Sequence, residues 1–280
     1  MQLFTTTTLL LLLTSTLVSA HARLKSPQPL GWGTTPALTG IGYNAPLLVD
    51  GTDFPCKNTI STTDMTPTAI WTSGSTALFE LQNHDLSYPG EKLRPTEGQL
   101  GAHSGGSCQV SLSFDLGKTW KVLHSYIGGC PRGVRLYSNM ASDNQVFEFN
   151  VPQETRAGDA VMAWSWIART GNRMEFYMNC AAVKIEGDGK STLDTFPDMY
   201  LGEVRFGPIG EGMCRSVFGE NLEYPNPGSE ERVTRYADPD TPKAVLPTGK
   251  GPDENWGVCK APGGTNVKRS LEGRGRIARE

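Results

Sequence analysis

The chain has 280 residues, a net charge of −3, and 38% hydrophobic, 20% charged residues. This is enough for one large domain, or one domain with a tail, and no basic surplus points to nucleic acid. After residue 20 no stretch is apolar enough to suggest a membrane span. Met1 to Ala20 carry no charged side chain, and the run Leu9 to Leu13, extended by Leu17 and Val18, forms an apolar core. Val18-Ser19-Ala20 is a small-residue cleavage signal, so residues 1–20 read as a signal peptide and the product as secreted. Cleavage there leaves 260 residues starting at His21. In an oxidising compartment the six cysteines, Cys56, Cys108, Cys130, Cys180, Cys214 and Cys259, predict three disulfides. Their wide spacing, with no CxxC pair, argues against structural zinc.

The region before Cys56 reads as a long loop. Short alternating segments then follow between Gly, Pro, Asn and Asp clusters. Ala77 to Gln82 is the first predicted strand. Gln109 to Asp115, with Val110, Leu112 and Phe114 on one face, turns at Asp115-Leu116-Gly117-Lys118 into Trp120 to Ile127. Gln145 to Val151 places Phe147, Phe149 and Val151 on one face, and Val161 to Ile167 does the same for Trp164 and Trp166, which read as core. Phe176 to Ile185 completes the set. Many short strands without helical periodicity predict an all-β fold, an immunoglobulin- or fibronectin-III-like β-sandwich with long loops. Residues 21–223 are assigned to this domain. Residues 224–280 are a Pro/Gly-rich extension, with Tyr224-Pro225-Asn226-Pro227-Gly228, Asp238-Pro239-Asp240 and Gly249-Lys250-Gly251-Pro252, expected to be irregular and disordered after Cys259. Cys214 and Cys259 bracket much of it and are predicted to pair. Lys268-Arg269 reads as part of a solvated tail rather than a processing site. No Asn-x-Ser/Thr acceptor occurs.

An N-terminal histidine offers a metal its α-amine and a ring nitrogen. The amine, with an ordinary pKa of about 7.7–8.0, gives up its proton far more easily than lysine. A second imidazole would complete a three-nitrogen site suited to copper. The remaining histidines are His84, His103 and His124. His84 reads as a solvent-facing strand end, and His124, in register with Val122 and Tyr126, as a half-buried strand residue. His103 lies in Gly101-Ala102-His103-Ser104-Gly105-Gly106-Ser107-Cys108, where small neighbours leave an imidazole accessible, and is the candidate second ligand. Taken alone, Tyr177 reads as a core aromatic and Glu175 equally as a surface carboxylate or a site residue. Trp32 and Tyr43, in the first loop, read as packing aromatics, with a sugar-binding face as the alternative.

Four stretches resemble a known family. They are His21-Ala22-Arg23-Leu24-Lys25-Ser26-Pro27-Gln28-Pro29, Asp53-Phe54-Pro55-Cys56-Lys57, His103 through Leu112 with Gly128-Gly129-Cys130-Pro131 following, and Gly171-Asn172-Arg173-Met174-Glu175-Phe176-Tyr177-Met178-Asn179-Cys180-Ala181. Together they resemble fungal lytic polysaccharide monooxygenases of auxiliary activity family eleven, over about His21 to Gly187. The resemblance implies one copper ion in a histidine brace formed by His21 and His103. It puts Tyr177 at a weak axial position and Glu175 near the metal, where it could hydrogen-bond a bound oxygen species. It also implies the pairs Cys56–Cys180 and Cys108–Cys130. Two departures stand out. Met174 intervenes where the family runs Arg-Glu directly, leaving room for a bulge before Glu175, and Gly101 stands where relatives carry alanine. The implied activity is oxidative cleavage of a crystalline polysaccharide, chitin ahead of cellulose, at C1 and/or C4. It would need an external electron donor and dioxygen or peroxide, and the protein is expected to be monomeric. The alternative is a non-catalytic secreted copper- or carbohydrate-binding protein on the same scaffold, or a metal-free cell-wall protein.

Overall fold

The structure is a computed structural model that describes residues 22–32, 44–60, 65–82, 101–138, 141–142, 144–171, 175–204, 214–236 and 243–247. The leader, His21, Tyr43, His84, Met174, Cys259 and Lys268-Arg269 lie outside them.

Among the described residues nine strands form two sheets. The smaller has the order β1-β3-β6, with β1 Arg23–Ser26, β3 Thr76–Gln82 and β6 Val146–Asn150, all antiparallel. The larger has the order β2-β8-β7-β4-β5-β9, with β2 Ala69–Thr72, β4 Gly106–Ser113, β5 Lys121–Ile127, β7 Gly158–Ala168, β8 Phe176–Glu186 and β9 Val233–Arg235. Its centre is antiparallel, while β2 and β9 join the two edges in parallel. The sheets face each other as a β-sandwich.

Alternation builds the core between them. Ala77, Phe79 and Leu81 of β3 and Phe147 and Phe149 of β6 meet Val110, Leu112, Met162, Trp164, Trp166 and Tyr177 of the larger sheet. Trp164 and Trp166 are fully buried, as their shared face predicts. The Leu24 amide of β1 donates to Asn179 Oδ1 of β8 at 2.9 Å, tying one sheet to the other.

β4 departs from the one-faced pattern, for it is buried on both sides. Leu30, Leu47 and Phe54 from the first loop, with Met199, Tyr200, Leu222 and Tyr224 from beyond β8, form a second apolar layer on the outer face of the large sheet. Two polar residues on that face are buried with partners: Ser107 Oγ donates to the Leu222 carbonyl at 2.7 Å, and Gln109 Oε1 accepts the Tyr200 amide at 2.9 Å.

Three strands were not evident in the sequence. β1 falls in the stretch that reads as loop. Its Arg-Leu-Lys-Ser has little strand character and is held by register with Gln82 and Leu81 far along the chain. β2 is similarly short. β9 lies in the extension that composition marks as irregular, yet Ser125, Tyr126 and Ile127 pair with Val233, Thr234 and Arg235. Cys56–Cys180 and Cys108–Cys130 are bonded. The first ties the loop ahead of β2 to β8, and the second ties β4 to the segment after β5.

Candidate metal centre

The His103 turn is a run of four positive φ angles: 42° at His103, 63° at Ser104, 83° at Gly105 and 139° at Gly106. Glycine is required at Gly106, where a Cβ would lie 2.2 Å from the Ile167 carbonyl oxygen of the neighbouring strand. The turn latches onto the end of β7: Thr170 N donates to His103 O at 2.9 Å and Arg169 N to Gly105 O at 3.0 Å. The Ser104 hydroxyl accepts the Tyr137 amide at 2.7 Å and bonds the Thr170 hydroxyl at 2.8 Å. His103 is therefore fixed through its own carbonyl and through Ser104 and Gly105.

Tyr177 reaches the same place from β8. It lies opposite Trp166 of β7, with ring centres 4.5 Å apart. Its hydroxyl is 3.1 Å from His103 Nε2 and donates to Glu175 Oε2 at 2.9 Å, and that carboxylate oxygen is 3.8 Å from His103 Nε2. Burial pushes the Tyr177 phenol well above its ordinary value, reinforced by the Glu175 charge and the hydrogen bond to it. Tyr177 is thus a protonated donor. Gly171 makes room, since a Cβ there would lie 2.4 Å from Glu175 Oε2 and 3.4 Å from His103 Nδ1.

Three of the four expected site residues, His103, Glu175 and Tyr177, therefore converge. The fourth, His21, lies outside the described residues, as does the bulge expected at Met174. Among the described residues no group of three or more His, Cys, Asp or Glu forms a metal cage by itself. The chain's own donors still suit copper: an imidazole nitrogen faces the cluster, a phenol oxygen stands behind it, and Ala22 of the adjoining N-terminal segment is buried in the same core as Tyr177. Gly101 is buried beside the turn.

The other histidine within the described residues plays no part here. His124 is buried on β5, bonded through Nε2 to Thr234 Oγ1 at 2.8 Å, and burial, aided by Arg232, lowers its pKa to about 4. The Arg23 guanidinium lies 4.0 Å over the Trp32 ring, covering one face of that indole.

A cleft of about 220 Å³ opens beside the cluster, between Gly171 and Glu175 on one side and Glu203, Arg215, Ser216 and Phe218 on the other. Burial raises the Glu203 carboxyl, opposed by the Ser216 amide and Arg215. Arg169 is buried and binds the far wall, Nε donating to the Gly219 carbonyl at 2.8 Å. Sequence reasoning missed this wall, Ser104 and Gly171. Only the glycines carried a signal, as positions where small size permits close approach.

Fold and cluster define a β-sandwich protein with a histidine–tyrosine–glutamate site where a loop meets the start of β8. No family model matches the sequence. It is 36% identical over 221 residues to the AA11 family lytic polysaccharide monooxygenase A of Aspergillus fumigatus (strain CBS 144.89 / FGSC A1163 / CEA10), across 76% of this chain and 85% of that protein. It is 32% identical over 248 residues to an AA11 family lytic polysaccharide monooxygenase of Aspergillus oryzae (strain ATCC 42149 / RIB 40), across 81% of this chain but 50% of that longer protein. Among solved structures, the extended catalytic domain of H. jecorina LPMO9A aligns over 86% of this chain and 98% of its own at 16% identity, with a TM-score of 0.42, too loose to bear on the site. The chain belongs to the AA11 family of lytic polysaccharide monooxygenases, an oxidoreductase family. Among the described residues, no helix is long and apolar enough to cross a membrane.

Proposed function

We propose that the mature protein begins at His21 and is a secreted, monomeric, copper-dependent monooxygenase that cleaves chitin at C1 and/or C4 of the glycosidic linkage. The convergence of His103 Nε2, the Tyr177 hydroxyl and the Glu175 carboxylate carries this reading. It is supported by the buried Ala22, since the residue before it lies one Cα step, about 3.8 Å, away. The amine and one ring nitrogen of His21, with His103 Nε2, would hold the ion, and the Tyr177 hydroxyl, 3.1 Å from His103 Nε2, would stand beside it. Copper held there supplies one-electron chemistry toward dioxygen or peroxide, fed by an external donor.

The chain's own residues do the rest. Tyr177, kept protonated, donates to Glu175 and remains a phenol. Glu175 accepts that bond within reach of His103 Nε2, a place where a carboxylate can hold or pass a proton. Trp166, packed on Tyr177, closes the inner side to water. Cys214 is disulfide-bonded, and Cys259 is its proposed partner, tying the extension back to the sandwich.

The test is incubation of copper-loaded mature protein with β-chitin and ascorbate. Oxidised chitooligosaccharides are expected, with copper affinity lost in His103→Ala. Tight copper binding without oxidised products from chitin or cellulose would overturn the enzyme reading. The mass of the N-terminal peptide of the secreted protein checks cleavage after Ala20.

A further inference from the structure

Among the described residues two aromatic side chains are strongly exposed, Tyr137 at 78% and Phe218 at 63%. Single exposed rings are ordinary on a protein surface. These two differ because both are tethered to the segments that carry the candidate site. Tyr137 holds a left-handed backbone, φ 60°, and its amide donates to the hydroxyl of Ser104, the residue after His103. The Ser104 amide donates in turn to the Ser138 carbonyl at 2.8 Å. A non-glycine residue kept at positive φ by its surroundings spends conformational energy to present its side chain. Phe218 lines the cleft that also contains Gly171 and Glu175. Its neighbour Gly219 donates through its amide to the Arg169 carbonyl at 2.9 Å and accepts from Arg169 Nε. The hydroxyl pair of Ser104 and Thr170, with the Thr170 amide on the His103 carbonyl, closes this rim into one hydrogen-bonded unit.

We propose that Tyr137 and Phe218 are the two aromatic platforms of the polysaccharide-docking face, and that a β-1,4-linked chitin chain lies against both rings as it passes the site. The inference rests on the monooxygenase reading above and adds the residues that seat the substrate. Aromatic faces match the C–H faces of pyranose rings and order few rotors on binding. The uncharged rings suit a neutral polymer, and Ser216 and Arg215 place polar groups in the cleft between Phe218 and Glu175 for its hydroxyl and amide groups. One platform comes from the turn before β6 and the other from the segment beyond β8, so two stretches far apart in the chain complete the surface.

The test measures depletion of copper-loaded mature protein by β-chitin. Tyr137→Ala and Phe218→Ala should each weaken binding about five-fold and the double variant by more than about twenty-fold. Tyr137→Trp and Phe218→Trp should restore it, with unfolding midpoints unchanged because the rings are exposed. Ile70→Ala, an exposed residue on β2 paired with the opposite end of β8, should bind as the parent does. If the parent binds chitin and the alanine variants bind equally well, the docking face is wrong and the monooxygenase reading stands. Losses that tryptophan does not restore, or an equal loss in Ile70→Ala, also overturn it. A parent that binds no β-chitin overturns both.

Discussion

Replacing Gly171 with alanine tests whether Glu175 is positioned by backbone packing. The new methyl carbon would lie 2.4 Å from Glu175 Oε2, and φ at this residue is 147°, a region that residues with a Cβ rarely adopt. Comfortable contact needs the carboxylate oxygen to retreat by roughly 1 Å. That stretches its 2.9 Å bond from the Tyr177 hydroxyl past hydrogen-bonding range. A lost bond to a charged acceptor costs about 1.5–3 kcal/mol, and the strained backbone adds about 1–2 kcal/mol. Partial relaxation brings the expected total to about 2–4 kcal/mol, a fall in unfolding midpoint of roughly 5–12 °C for a domain of this size. Oxidised product release from chitin should drop further, by up to about a hundredfold, as misplacement of a site group by 1 Å allows. Calorimetry and initial rates with ascorbate measure the two effects. The decisive comparison is the double variant Gly171→Ala/Glu175→Gln. If glycine acts through the carboxylate, its activity matches Glu175→Gln alone. Parental rates in Gly171→Ala, or losses that multiply in the double variant, refute the reasoning.

Removing the Cys56–Cys180 bond with paired serines should cost about 3–5 kcal/mol, read by denaturant unfolding, because it releases a loop with a sequence separation of 124. Ser104→Ala leaves the Tyr137 amide without its hydroxyl acceptor and should cost about 1–2 kcal/mol, seen as a lower unfolding midpoint. His124 is held neutral in the fold, with a pKa of about 4 against an ordinary 6.5. The unfolded chain takes up this proton first, so the stability that depends on the neutral ring is complete above pH 6.5. It is lost as pH falls from 6.5 to about 4, by at most about 3 kcal/mol. His124→Gln should flatten the decline in that window, and an unchanged profile would show that other groups govern it.

The parts of this molecule legible in its sequence are those specified by local alternation. Phe147, Phe149, Trp164 and Trp166 announce their strands because one buried face repeats every second residue. β1 and β9 do not, because Arg23–Ser26 and Val233–Arg235 are strands only by virtue of partners far away in the chain. The second apolar layer was hidden for the same reason: Ser107 and Gln109 look solvent-facing until Leu222 and Tyr200 arrive over them. At the site, His103 could be singled out because glycines surround it. Tyr177 and Glu175 could not be separated from ordinary strand and surface residues without the family resemblance. Gly171 and Ser104 act through backbone packing and hydrogen bonds that no spacing rule encodes.

The parallel pairing of β9 along β5 has a practical consequence. A chain cut back to Gly187, just after β8, would lose that strand and leave β5 as an open sheet edge ready to pair with another molecule. It would also strip Met199, Tyr200, Leu222 and Tyr224 from the outer face, baring Trp120, Val122 and Ile127. Such a shortened enzyme should aggregate rather than stand as a minimal catalytic unit.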